Sequence, residues 1–144
     1  MGQEIERKFL VHHHKWNKLD KAPGQLYRQG YLLTDPNKTI RVRQTQDKAY
    51  LTIKGLSIGA TRPEYEYEIP LEDAEDLLNK FSEATLSKIR YRITHQNKVW
   101  EVDEFLGNNE GLIVAEIELA SENESFELPD WIDQEVTDDI RYYN

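Results

Sequence analysis

Like charges recur two residues apart along at least six stretches of this chain. Successive side chains of a strand point to opposite faces, so residues two apart share one face, roughly 6–7 Å from each other. In EIERKF, Glu4, Glu6 and Lys8 oppose Ile5, Arg7 and Phe9. Arg41 and Arg43 oppose Ile40 and Val42, and Thr52 and Lys54 oppose Leu51 and Ile53. Glu64, Glu66 and Glu68 oppose Tyr65, Tyr67 and Ile69. Lys88, Arg90 and Arg92 oppose Ile89, Tyr91 and Ile93, Glu101 and Asp103 share a face, and Glu116 and Glu118 oppose Ala115, Ile117 and Leu119. Like charges this close repel unless opposite charges face them from other strands.

Two folds satisfy that pattern. A half-exposed sheet would rest its apolar face on a core and leave the charges in water. Alternatively the sheet closes with its apolar face outward, and the charges line the interior. A solvent face normally mixes Thr, Ser, Gln, Lys and Glu, whereas here sign segregates by strand. Arginine also predominates at 41, 43, 90 and 92, and its planar fork suits bidentate phosphate recognition better than lysine does. A lumen holding arginines and carboxylates fits a polyanion bound together with a divalent metal. Clustered carboxylates hold hard cations such as Mg²⁺ or Mn²⁺. Phosphoryl transfer asks for little beyond positioning, charge neutralisation and an aligned water.

Alternation predicts strands over 3–11, 27–33, 38–45, 48–55, 62–70, 86–94, 98–106 and 112–120. Residues 71–81 carry Ala74, Leu77, Leu78 and Phe81 at helical spacing behind an acidic first turn, which predicts a helix. Shorter helices are expected over 15–20 and 121–127. Eight strands with little helix imply an α+β, mainly β class: an eight-stranded antiparallel β-barrel with flanking helices. With 144 residues, the expectation is one domain over 1–144.

Net charge is −9, which argues against a broad nucleic-acid surface. No apolar run reaches the length of a membrane helix, and Glu4 and Glu6 fall where a signal peptide would be apolar. There is no cysteine, hence no disulfide or thiolate chemistry, and a cytoplasmic protein is the default expectation. His12, His13 and His14 lack metal-ligand spacing and read as a solvated strand end.

As strings, EIERKFLV, RQGYL, RVR, TIK, RPEYEYEIP, SKIRY, WEVDEF, LIVAEIELASE and the tail EVTDDIRYYN resemble, in order, the triphosphate tunnel metalloenzyme (CYTH) superfamily. The closest type is a short bacterial inorganic triphosphatase. The resemblance implies a tunnel that binds a triphosphate with divalent metal. It implies that Glu4, Glu6, Glu116 and Glu118 bind or organise Mg²⁺ or Mn²⁺. It implies that Lys8, Arg41, Arg43, Lys54, Lys88 and Arg90 contact the triphosphate. Glu64 and Glu66 match the acidic pair of the middle strand, Asp103 an acid near the metal and water site, and Tyr31 a tyrosine that pairs with Lys8. Arg62, Glu68, Arg92 and Glu104 are expected on the rim or outside, and Trp100 and Trp131 in packing. Glu101 is expected in the lumen, supporting an arginine instead of binding metal.

The expected reaction is metal-dependent hydrolysis of tripolyphosphate to pyrophosphate and phosphate. Lys8 would serve as a general base if desolvated among cations, with Tyr31 tuning it. Nucleoside triphosphatase, thiamine triphosphatase and class IV adenylate cyclase activities remain alternatives on the same barrel. So does a non-catalytic polyphosphate or nucleotide sensor. The Tyr-rich strand at 65–67 could support a homodimer. The chain ends at Asn144, where longer relatives continue into a helix, so tunnel closure stays open at this point.

Overall fold

The computed structural model describes residues 2–142, so Tyr143 and Asn144 of the EVTDDIRYYN tail lie outside the described residues. The strands are β1 Glu4–Val11, β2 Gln25–Asp35, β3 Lys38–Gln44, β4 Ala49–Gly55 and β5 Thr61–Arg62, followed by β6 Glu64–Ile69, β7 Thr85–His95, β8 Lys98–Phe105, β9 Ile113–Glu118 and β10 Ile132–Glu135. Two helices accompany them, α1 His13–Lys18 and α2 Leu71–Lys80. The strands run antiparallel in the order β10-β1-β9-β8-β7-β2-β3-β4-β6, with β5 pairing on β1. The class is α+β, mainly β, as expected.

The ladder is not continuous all the way round. Where one strand was expected over 62–70, Pro63 divides it in two. Proline has no N–H to give to a ladder, so the chain can change partners there. Before it, β5 pairs with β1 at Glu4↔Arg62. After it, β6 pairs with β4 from Lys54↔Glu64 to Ala49↔Ile69. Across the remaining gap Glu64 N–H donates to Gly2 O at 3.2 Å, and Lys54 Nζ donates to Glu4 Oε1 at 2.8 Å.

Three further expectations need correction. The histidines do not end a strand: His12 caps α1, accepting from Lys15 N–H at 3.4 Å, and His13 and His14 form its exposed first turn. The helix starts earlier than the predicted 15–20, because a side chain that can accept from its third successor starts a helix. Residues 121–127 form turns, not a helix; Glu124 Oε1 there accepts from Ala120 N–H at 2.6 Å. β10 was not expected. Its sequence IDQE has no apolar alternation, and it is held on β1 at Phe9↔Glu135 and Val11↔Ile132.

The core lies outside the sheet. Phe9, Trp100, Val102, Ala115 and Ile117 form one buried cluster, covered by Trp16 of α1, Phe126 and Trp131. Trp100 and Trp131 pack edge to face with ring centroids 6.1 Å apart, which confirms them as packing residues. A second cluster sets Val42 and Ala49 under Ala74 and Leu78 of α2. The close seat of α2 requires Gly30, because a Cβ there would stand 2.8 Å from Ser82 Cβ. Buried apolar faces therefore point outward and charged faces inward, the second of the two solutions. Outside β4 and β6, Ile53, Tyr65 and Tyr67 remain exposed. Among the described residues no helix is long and apolar enough to cross a membrane.

Candidate active site

Parity places the charges. Because Trp100, Val102, Ala115 and Ile117 must reach the outer core, their neighbours Glu101, Asp103, Glu116 and Glu118 turn inward. The same constraint acts through Phe9 on Lys8 and through Val42 on Arg41 and Arg43. A cavity of about 230 Å³, open to solvent, results. It is lined by the carboxylates of Glu4, Glu6, Glu64, Glu66, Glu101, Glu116 and Glu118 and by the cations of Arg41, Arg43, Lys54, Arg90 and Arg92. Every lining residue is charged.

Strand order decides which charges meet. β1 and β9 are neighbours, so Glu6 faces Glu118 and Lys8 faces Glu116. On the other side β2 separates the basic strands β3 and β7. Opposite signs neutralise one another at several places. Lys54 lies 2.8 Å from Glu4 and 3.5 Å from Glu64. Arg43 lies 3.4 Å from Glu66, and Arg92 lies 3.0 Å from Glu101. Asp103, 1% exposed, accepts from Arg90 Nε at 2.8 Å and Nη2 at 2.9 Å, and Lys88 Nζ stands 2.7 Å from its Oδ2.

Two buried lysines respond to opposite surroundings. Lys8 sits among Glu116, Glu6 and Glu4; burial disfavours its charge, but these acids outweigh burial and raise its pKa above the ordinary value. The cationic setting in which Lys8 would act as a base is therefore absent, and that expectation is corrected. Lys88 is the lysine with a depressed pKa, lowered to about 7 by burial and by Arg90 and Arg41, against the pull of Asp103. Tyr31 lies in register with Arg41 and close enough to Lys8 for each to affect the other's charge. Burial of its hydroxyl raises its pKa, against the pull of Arg41 and Lys8.

Glu6 and Glu116 are pushed in opposite directions. Burial first, then the Glu116 carboxylate, drives the Glu6 pKa well above the ordinary range. Burial would raise Glu116 too, but Lys8, the hydrogen bond from Glu6, Arg90 and Lys88 together hold it well below. Burial and Glu4 raise Glu118.

These acids fit a hard cation. Glu116 Oε1 is buried with no hydrogen-bond partner among the described residues. Glu4, Glu6 and Glu118 line the same cavity, and their oxygens are the donors that Mg²⁺ and Mn²⁺ take. No three acids or histidines among the described residues are gathered tightly enough to cage an ion alone.

Of the residues expected in the site, Glu4, Glu6, Arg41, Arg43, Lys54, Glu64, Glu66, Arg90, Glu116 and Glu118 line this cavity. Lys8 lines a smaller one on the far side of Glu4 and Glu6, with Arg62 and Thr137. Lys88 and Asp103 turn to the same inner face but are covered over and do not line it, 0% and 1% exposed. One lining residue was not expected there: Arg92 was placed on the rim, although it shares parity with Arg90. Glu101, expected in the lumen beside an arginine, lines the cavity 3.0 Å from Arg92. Gln29 was overlooked: it is fully buried, and both amide atoms lack a hydrogen-bond partner among the described residues. Nothing in a lone glutamine signals such a position.

Residues 2–143 match the CYTH domain family. The chain is 52% identical over 145 residues to a protein of Acetivibrio thermocellus named inorganic triphosphatase, an alignment covering 100% of this chain and 92% of that protein. It is 35% identical over 145 residues to a Nitrosomonas europaea protein of the same name, covering 98% of this chain and 93% of that one. A crystal structure described as an inorganic triphosphatase superposes with a TM-score of 0.66 at 32% identity, covering 98% of this chain and 91% of the other.

Proposed function

From the premise that this chain belongs to the CYTH domain family, we propose that it is a metal-dependent inorganic triphosphatase, splitting tripolyphosphate and water into pyrophosphate and phosphate. The observation that carries this reading is the lumen itself. An all-charged cavity inside a sheet, with cations on one wall and carboxylates on the other, suits a small polyanion and its counter-cation. Unpaired donors point the same way: Arg41 Nε and Arg43 Nε are buried without hydrogen-bond partners among the described residues.

In this reading Arg41, Arg43, Lys54 and Arg90 bind the phosphate oxygens and hold the chain in line for attack. Lys88, behind Asp103, adds positive charge from within the wall. Glu4, Glu6, Glu116 and Glu118 would hold Mg²⁺ or Mn²⁺, with Lys8 keeping Glu116 ionised. The cation would supply charge neutralisation and a more acidic water. Glu64 and Glu66, on the solvent-accessible strand β6, are placed to accept a proton from the attacking water. Oxygen from that water forms the new P–O bond, the phosphoanhydride bond breaks, and pyrophosphate leaves. Tyr31 orients Arg41 and Lys8.

A second cavity adjoins the first, sharing Arg43, Glu66 and Arg92 and bordered by Tyr27, Tyr50, Gln25 and Thr45. It has space for an organic group attached to a triphosphate, which keeps nucleoside and thiamine triphosphates in the test. The experiment is phosphate release from tripolyphosphate, ATP and thiamine triphosphate with Mg²⁺, Mn²⁺ or chelator. Release from tripolyphosphate well above the others, abolished by chelator, is expected. Tight metal-dependent binding without release would instead indicate a sensor.

A further inference from the structure

Between the two basic strands, β2 presents no charge to the lumen. Tyr27, 5% exposed, stands there between β3 and β7. Its ring serves two cations at once: Cζ of Arg43 lies 5.2 Å from the ring centroid and Cζ of Arg90 lies 5.1 Å from it. Like charges converging on one point must be held there by something. Burial, then repulsion from Arg41 and Arg90, lowers the pKa of Arg43.

A carboxylate could hold the two guanidinium groups, but it would occupy the N–H edges that recognise phosphate. An aliphatic side chain would leave those edges free without attracting either cation. An aromatic ring attracts a guanidinium through its face, and the N–H groups lie in the plane, not on the face. Part of each fork remains unbonded, although Arg43 Nη2 donates to Glu66 at 3.4 Å. Arg43 Nε has no hydrogen-bond partner among the described residues. Arg90 gives one edge to Asp103 through Nε and Nη2, while its Nη1 stands 3.4 Å from Glu101.

We propose that Tyr27 is a positioning residue for phosphate recognition, its ring holding Arg43 and Arg90 by their faces so that their remaining N–H edges meet the phosphate oxygens. This role rests on the triphosphatase reading. It adds to that reading a neutral residue that no charge pattern marks.

The test varies the ring's electron density at nearly constant shape. Tyr27→Phe and a series of increasingly fluorinated phenylalanines at position 27 are compared with Tyr27→Leu, using steady-state kinetics on tripolyphosphate with Mg²⁺. Tyr27→Phe is expected to keep the wild-type KM within about twofold, while KM climbs with fluorination to roughly three- to tenfold. kcat is expected to change by less than about twofold along the series, because binding geometry and not the chemical step is affected. In the metal-free protein, ring-current shifts of the Arg43 and Arg90 side-chain protons should persist in Tyr27→Phe and vanish in Tyr27→Leu. A KM that stays flat across the fluorinated series while the wild type turns over overturns the proposal. So does the absence of those ring-current shifts from the wild type. A wild type that releases no phosphate from any triphosphate overturns the triphosphatase reading, and this role with it, before any substitution is made.

Discussion

Arg90 and Asp103 meet edge to edge on neighbouring strands, Nε to Oδ1 at 2.8 Å and Nη2 to Oδ2 at 2.9 Å, in direct register. Asp103 also carries Lys88 at 2.7 Å, so one buried carboxylate compensates two buried cations. Asp103→Asn keeps the shape and removes the charge. The expected loss is about 3–5 kcal/mol of folding stability, as for other buried ion pairs broken from one side. Urea denaturation measures it, and a loss under about 1 kcal/mol would show that the pair is not an essential compensation.

The two buried lysines should titrate in opposite senses. Lys88 has a folded pKa of about 7 against an ordinary value of 10.5, so the unfolded chain binds its proton more tightly. Stability therefore rises as pH climbs from about 7 toward 10.5. Lys8 is raised above 10.5, so its contribution is full below that value and is lost only as pH passes through the higher folded value. Denaturation midpoints between pH 7 and pH 10 should climb in the wild type and flatten in Lys88→Met. ¹⁵N resonances of the two ammonium groups report each titration directly.

Glu6 predicts how the protein responds to cations. Its folded pKa lies well above the ordinary 4.5, so its stabilising effect is present below that value and is lost as pH rises through the folded value. The metal-free protein should melt progressively lower across that window. Mg²⁺ or Mn²⁺ should restore the midpoint by mass action and release a proton on binding. Calorimetry in two buffers of different ionisation enthalpy detects that proton. Glu6→Gln should reduce both the pH-dependent fall and the proton release, leaving the part due to Glu4 and Glu118.

Arginines on opposite faces of the sheet should differ in kind. Arg7 faces outward, pairs with Glu135 at 2.5 Å and is about a third exposed. Arg7→Gln is expected to cost about 0–1 kcal/mol and to leave phosphate release intact. Arg43→Ala, inside the lumen, should lower triphosphatase activity by roughly 10²-fold while barely moving the melting temperature. Activity assays and thermal melts on the two variants side by side separate the faces.

Much of this arrangement was legible because two demands act on the same alternation. Ile117 must reach the core, so Glu116 and Glu118 cannot. The helix at α2 followed from Ala74 and Leu78 at helical spacing. What escaped had no periodic signal. β10 is mostly polar and is held by pairing with β1 and by Arg7–Glu135. The break at Pro63 was swallowed by a longer charged run, although proline marks such a change of partner. The deep burial of Asp103 on the inner face depends on two cations from another strand, a relationship that alternation within one strand does not contain.

The wall of the lumen is stitched by ladders except between β6 and β1. There, besides one backbone hydrogen bond from Glu64 to Gly2, Lys54 bridges Glu4 and Glu64. Glu4 belongs at once to this fastening and to the acidic cluster. A cation drawn to its carboxylate competes with Lys54, and a phosphate drawn to Lys54 competes with Glu4. Cargo and latch therefore draw on the same two side chains, Glu4 and Lys54.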